Sequence, residues 1–143
     1  MTPQLKDRVD PGLLVLRVGI GLMFALLHGL PKLVGGVSMW KGLGGAFNRL
    51  LGVVCVPAFW GFLASLSECG GGICLILGVC FRPACALILF TLVIAVASII
   101  RGGYGFDSVS HLVELAVVLL SLLFTGPGRL TLRNILATWK ASG

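Results

Sequence analysis

Long runs of apolar residues place the strongest limit on what this chain can fold into. Four such runs lie at residues 13–30, 59–79, 84–100 and 109–125. A longer loop separates the first two, and short breaks with polar residues, glycine or proline separate the others. A helix needs about 20 apolar residues to cross a hydrocarbon core of about 30 Å. In lipid, only helices and closed barrels satisfy all their backbone hydrogen bonds. The runs therefore predict an all-α, polytopic membrane protein built as a four-transmembrane-helix bundle.

Capping residues and prolines predict where these helices begin and end. Asp10 followed by Pro11 has the pattern of an N-cap and a first helical residue, and Pro31 is expected to end the first span. Asp107 or Ser108 is the expected N-cap of the fourth helix. The prediction is a single transmembrane domain over residues 1–143, with spans at about 12–30, 59–80, 83–100 and 108–125.

Two segments outside the spans have amphipathic patterns. In the first loop, residues 31–56, four apolar residues recur at helical spacing, which predicts a short interfacial helix. The tail, residues 129–140, places apolar side chains on one face and arginines on another, and we expect it to rest on the membrane as well. The four apolar residues of the loop are Phe47, Leu50, Leu51 and Val54.

The composition excludes several classes of function. Hydrophobic residues make up 57% of the chain and charged residues only 11%, whereas a soluble domain has about 25% charged residues. The spans leave no room for a separate soluble catalytic domain. The net charge of +6 comes from dispersed basic residues, so a nucleic-acid surface is not expected. The first apolar run is long enough to span, and no cleavage site for a signal peptide follows it.

The distribution of basic residues predicts an orientation. Six of them lie on the side of the two termini and the second loop, and four lie on the side of the first and third loops. The four are Lys32, Lys41, Arg49 and Arg101. Because cytoplasmic segments carry an excess of Lys and Arg, this count favours cytoplasmic N- and C-termini.

Five ionisable side chains lie within the predicted spans, where each costs about 2.5–3.5 kcal/mol at the helix centre. They are Arg17, His28, Glu68, His111 and Glu114. Because successive helices alternate in direction, His28, His111 and Glu114 should lie in one leaflet, together with Lys32. Arg17 should lie towards the opposite side, with Glu68 between them.

Small residues predict which helix faces point into the bundle, because they let a neighbouring helix approach closely. The first helix has an ionisable stripe beside a ladder of small residues, and Glu68 shares its face with glycine, alanine and serine. Both faces should point inward, whereas the third helix has few polar groups and should face lipid most. The stripe is Arg17, Gly21, Phe24 and His28, and the ladder is Gly21, Ala25 and Gly29.

Three interpretations of these polar groups follow from the sequence. In the first, they only satisfy one another, through an Arg17–Glu68 pair and a hydrogen bond between His111 and Glu114. In the second, they form a pocket for a polar head group such as a quinone, in which a histidine exchanges hydrogen bonds or protons and a carboxylate relays them. In the third, two histidines ligate haem or a metal, but nothing else supports this and no metal site is expected. The residues of the second interpretation are Arg17, His28, Lys32, Glu68, His111 and Glu114.

The five cysteines do not follow a redox or zinc motif. Only Cys80 and Cys85, across the turn between the second and third helices, are placed to meet, and they are the candidates for a redox thiol. The alternative is that the cysteines are small, polarizable packing residues.

Three stretches together resemble the DoxX family of small four-helix membrane proteins. They are LRVGIGLMFALLHGLPK at residues 16–32, ECGGGICLILG at residues 68–78 followed by Arg82, and GPGRLTL at residues 126–132. The resemblance extends over residues 12 to about 133. In the family pattern, positions equivalent to Arg17, His28, Lys32 and Glu68 recur. Glu114 and Arg129 also look like family positions.

The resemblance implies a membrane subunit of a quinone-linked or thiol-linked redox complex, such as a respiratory complex, in a bacterial inner membrane. It implies other membrane subunits, lipid and a quinone as partners, and no covalently bound cofactor. The chain has no cofactor-binding motif, so we expect electrons to come from a partner unless its cysteines cycle. Two other functions stay open: a structural or assembly subunit without chemistry, and a proton or small-solute pathway.

Overall fold

The computed structural model describes residues 3–52, with side chains from Val9, and residues 56–132, 134, 136 and 137. In this part of the chain six α-helices follow one another and there is no strand. A π-helical segment, Met23–Gly29, joins α1 to α2, and a 3-10 turn, Phe106–Ser108, precedes α6. The helices are α1 Pro3–Leu22, α2 Leu30–Val34, α3 Gly36–Leu51, α4 Pro57–Leu77, α5 Phe81–Arg101 and α6 Ser110–Thr125.

Among the described residues, three helices are long and apolar enough to cross a membrane: Val9–Val34, Pro57–Leu77 and Phe81–Arg101. Helix α6, Ser110–Thr125, is a shorter apolar helix. Sixteen residues at about 1.5 Å each give about 24 Å, less than the hydrocarbon core. The chain is thus an all-helical membrane protein, in which three of the four predicted spans reach full length.

The first span is longer than the sequence predicted at both ends. The helix begins at Pro3 and contains Pro11, so Asp10 is not its N-cap. The Asp10 carboxylate instead accepts a hydrogen bond of 2.9 Å from the Arg129 backbone N–H and lies 3.7 Å from the Arg129 guanidinium. Asp10 therefore fastens the first helix to the segment after α6.

Pro31 does not end the first helix, contrary to the prediction. In a regular α-helix its ring would clash with the carbonyl four residues earlier. The π-helical segment changes the backbone register just before it, and the Leu30 N–H donates to the Ala25 carbonyl, five residues back. The helix therefore continues past the proline to Val34, and Lys32 lies within it.

Glycines allow the first helix to pack closely on α4. A Cβ at Gly29 would overlap the backbone of Cys69, and a Cβ at Gly72 would lie 2.6 Å from the Ala25 nitrogen and from the Gly21 carbonyl oxygen. Small residues drive helix association in lipid through such close contact. The inward ladder predicted for the first helix is confirmed, and its partner is the glycine-rich face of α4.

The predicted interfacial helix of the first loop is a 16-residue helix packed on α4. Gly44 of α3 meets the carbonyl of Pro57, and the carbonyl of Trp40 meets Gly61. Because the earlier residue of α3 faces the later residue of α4, the two helices are antiparallel. The predicted helix is present, but it is longer than the sequence indicated, because it already begins at Gly36 and packs on α4. Its location at the membrane interface stays a prediction. Val54, and residues 133, 135 and 138–140 of the predicted tail, lie outside the described residues.

The third span, α5, is not the most lipid-facing helix, contrary to the prediction. It packs against α3, α4 and α6 and buries seven side chains. Polarity was a poor guide to burial here, because small and apolar residues such as Ala84 and Ile88 pack as well as polar ones. Helix α6 is preceded by Val109 rather than capped by Asp107 or Ser108, and it buries three residues. The core shared by these helices is Phe24, Leu75, Phe81, Cys85, Ile88, Leu92, Leu112, Leu119 and Leu122.

The glycine contact between the first helix and α4 predicts a large difference between two alanine substitutions. Gly29→Ala inserts a methyl group into the backbone of Cys69, whereas Gly19 on α1 has nothing within 4 Å of its Cβ position. Overpacking typically costs about 1–3 kcal/mol. We expect Gly29→Ala to lower the thermal unfolding midpoint in detergent by several degrees, measured by circular dichroism. Gly19→Ala should leave it unchanged or raise it. Equal midpoints for both variants would show that this contact does not hold the helices together.

Candidate functional site

The central feature of the site is an ion pair between α2 and the middle of α4. The Lys32 ammonium lies 2.7 Å from one carboxylate oxygen of Glu68 and 2.5 Å from the other. The Glu68 side chain is 6% exposed and that of Lys32 is 28% exposed. Removing one partner of a buried pair costs about 3–5 kcal/mol, since it leaves a buried charge uncompensated. The pair thus fixes helix register while one side of the ammonium stays accessible.

Trp40 holds the backbone beside this pair. Its indole N–H donates a hydrogen bond of 2.9 Å to the Lys32 carbonyl. This carbonyl lies in the last turn of α2, where carbonyls lack an intrahelical donor. The Trp40 ring also meets the Phe62 ring edge-on at 5.0 Å. Helix α3 therefore fixes both the end of α2 and the neighbouring part of α4.

His28 lies one turn before Lys32, within the π-helical segment. Its ring is half-buried and lies 5.5 Å from the ring of Phe24. Glu68, Lys32 and His111 lie within electrostatic range of its ring. π-Helical turns occur frequently at functional sites. The structure thus brings together three of the predicted site residues: His28, Lys32 and Glu68.

Arg17 is not part of this site, and it does not pair with Glu68 as one interpretation of the sequence required. It is 2% exposed, lies against Gly78, and donates a hydrogen bond from Nη2 to the Leu130 carbonyl. Gly78 is ten residues beyond Glu68, or about 15 Å along the helix. Gly78 has a left-handed backbone with φ of 68°, and a Cβ there would overlap the guanidinium. Arg17 therefore joins the first helix to the segment after α6.

His111 and Glu114 lie at the surface of α6. Both are exposed, because the inward positions of this helix are taken by Leu112, Leu119 and Leu122. No hydrogen bond joins them in the described part of the chain. His111 is within electrostatic range of His28, whereas Glu114 is not among the groups that act on it. Of the six residues predicted to line a pocket, the structure therefore brings together His28, Lys32 and Glu68.

The two candidate redox thiols occupy different environments. Cys80, at the start of α5, is exposed, and Cys85, one turn into that helix, is fully buried in the core. Both are free cysteines. A partner can reach Cys80 but not Cys85 without opening the bundle. The structure therefore favours a packing role for Cys85.

Sequence reasoning missed three features of the structure, two at this site and one beside Arg17. It placed Lys32 at the mouth of the bundle, because it took Pro31 as the end of the helix. It did not assign a role to Trp40, although a tryptophan close after a helix end is well placed to donate to an orphan carbonyl. It also left Gly78 unassigned, although glycine just after a helix signals a left-handed C-terminal residue.

A comparison with protein families agrees with this architecture. The model of the family described as DoxX matches residues 12–101. The chain belongs to the DoxX family. A search of curated proteins and a search of solved structures gave no match.

The DoxX match covers the whole central site. It includes His28, Lys32 and Glu68 together with Trp40, and it ends at Arg101, the last residue of α5. Glu114 and Arg129, which look like family positions from the sequence, lie beyond the matched residues. The site formed by His28, Lys32 and Glu68 therefore lies within the residues that match the DoxX family model.

The ion pair predicts strong coupling in a double-mutant cycle. Lys32→Met leaves the Glu68 carboxylate buried and uncompensated, so we expect a loss of about 3 kcal/mol in the free energy of unfolding. Glu68→Gln should cost less, because Lys32 is partly exposed. The double variant should recover part of the loss. Denaturant unfolding in mixed micelles gives the free energy of unfolding of the wild type, the two single variants and the double variant. Strictly additive losses in the two single variants would contradict the pairing.

Proposed function

We propose that this DoxX-family protein is the membrane subunit of a quinone-linked redox complex and binds a quinone head group beside His28, Lys32 and Glu68. The observation that carries the proposal is a partly exposed ammonium oriented by a buried carboxylate, with a half-buried imidazole one helical turn away. Ionisable groups held by a partner inside a membrane protein are functional-site candidates by default.

The donor set fits a head group that carries two carbonyl oxygens. Lys32 has three N–H donors, and its contacts with Glu68 use two of them. The third is available to a ligand on the exposed side of the ammonium. His28 can accept or donate through its imidazole, whose ring packs against the buried ring of Phe24.

A quinone supplies two-electron redox chemistry in which its carbonyl oxygens take up two protons. Lys32 would orient and polarise a carbonyl oxygen, and Glu68 would keep the ammonium charged and aimed. His28 is the residue suited to hold or pass a proton, because its ordinary pKa lies near neutrality. Electrons would come from a partner subunit, because the sequence carries no cofactor-binding motif.

We also propose that α6 crosses the membrane as a fourth span, with both termini on the cytoplasmic side of a bacterial inner membrane. Helix α6 starts after the loop that follows α5, and the segment just beyond it meets Asp10 and Arg17 of the first helix. The 16-residue helix thus runs from one end of the bundle to the other. The excess of basic residues on the side of the termini supports the orientation.

One observation favours a second function, an assembly subunit without chemistry. Glu68 receives both of its close contacts from Lys32, and the pair ties the first helix to α4. A pair of this kind can serve only to fix helix register. Under this alternative, the exposed apolar surface would bind other membrane subunits, and the pair would be needed for stability alone.

Quinone content after purification separates these two functions. The wild-type protein, purified in mild detergent and extracted with organic solvent, should yield about one quinone per chain by chromatography. His28→Ala and Glu68→Gln should each lower this at least fivefold while retaining the helical circular dichroism spectrum. Ser67→Ala, next to Glu68 in sequence but bonded only to the Leu63 carbonyl, is the matched control. Absence of quinone from the wild type, or equal content in all four proteins, would leave the assembly function as the explanation.

The topology is tested with single cysteines in a variant that lacks the native ones. A cysteine at Gly103, between α5 and α6, should be labelled by an impermeant maleimide in intact cells. A cysteine at Gly143 should be labelled only after the cells are broken. Labelling of Gly143→Cys in intact cells would mean that α6 does not cross or that the orientation is reversed.

A further inference from the structure

A polar cavity whose lining does not include Lys32 or Glu68 lies at the end of α3 and α5. It has a volume of about 540 Å³ and is lined by Arg49, Leu50, Ser98, Arg101 and Gly102. Arg49 comes from the last turn of α3, and Arg101 is the last residue of α5. Two helices that are distant in sequence thus present one guanidinium each to the same space.

Among the described residues, no acidic side chain pairs with the two arginines of this cavity. The ion pairs among the described residues are Lys32 with Glu68 and Arg129 with Asp10. Neither Arg49 nor Arg101 has an acidic partner in that part of the chain, and both are exposed. Two like charges facing one space repel each other. A bound anion would remove this repulsion and make charge-assisted hydrogen bonds to both guanidinium groups.

We propose that this cavity binds the phosphodiester group of an anionic phospholipid. Guanidinium groups match phosphate oxygens with paired N–H donors, and the Ser98 hydroxyl adds a further donor. The cavity lies at the end of a membrane-spanning helix, and so at the expected depth of lipid head groups.

The surroundings of the cavity favour a lipid over a soluble phosphate. Leu50 is the large apolar residue in the lining of the cavity. Leu51 and Ile100, close to the two arginines in sequence, are 48% and 49% exposed and offer apolar surface to acyl chains. Tyr104 and Phe106 follow shortly after Arg101, and each is 65% exposed. Exposed aromatic residues of this kind are typical of the membrane interface. The cavity therefore combines a charged centre with an apolar margin.

Lipid titration of the full-length protein tests this proposal independently of any quinone. Delipidated protein in neutral detergent is titrated with phosphatidylglycerol or phosphatidylcholine, and the bound fraction is measured by native mass spectrometry. We expect the wild type to prefer phosphatidylglycerol at least tenfold. Arg49→Gln/Arg101→Gln should abolish this preference. Arg49→Lys/Arg101→Lys, which keeps the charge without the paired donors, should retain only part of it.

A charge-matched control makes the result specific. Lys41→Gln/Arg82→Gln removes two exposed basic residues that do not line the cavity, and it should bind phosphatidylglycerol like the wild type. The proposal is overturned if this control loses the preference too, since the effect would then be one of net charge. It is also overturned if the glutamine pair at the cavity retains the preference. Binding of inorganic phosphate without binding of phosphatidylglycerol would assign the cavity to a soluble anion instead.

Discussion

Close contact between helix backbones is the constraint on which the rest of this structure depends. In lipid there is no hydrophobic force between helices, so packing must come from surfaces that approach closely. Gly29 rests on the backbone of Cys69, and Glu68 is the residue before Cys69. Lys32 follows Gly29 by three residues, or nearly one helical turn. The glycine contact therefore sets the distance at which the ammonium meets the carboxylate.

The π-helical segment explains how a residue beyond a proline becomes part of the bundle interior. Without the change of register at Met23–Gly29, the helix would be expected to end before Pro31 and leave Lys32 in the loop. The continued helix also brings its own end against α3, where Trp40 supplies the missing donor. The irregular segment is thus followed by a hydrogen bond from the next helix, which fixes the end of α2 one turn beyond His28.

Sequence patterns predicted the helices better than the contacts between their side chains. The limits of α4, α5 and α6 lie within three residues of the predicted spans, since hydropathy and turn residues act locally. The inward stripe on the first helix was also correct, because small residues mark packed faces. The partners of Arg17 and Glu68 were not predictable in this way. These partners depend on the depth in the bundle at which the helices meet. That depth is set by the change of register in the π-helical segment and by the close approach of Arg17 to Gly78.

The order of polar and apolar side chains along the first helix bears on whether the bundle can conduct protons or small solutes. A pathway for protons or small solutes needs polar groups in continuous reach across the membrane. Between Arg17 and His28 lies Phe24, fully buried and packed with Leu75 in the core. Arg17 is further closed off by its contacts with Gly78 and Leu130. The polar group around Glu68 is therefore separated from Arg17 by buried apolar side chains, and the described residues do not form a continuous polar path between the two.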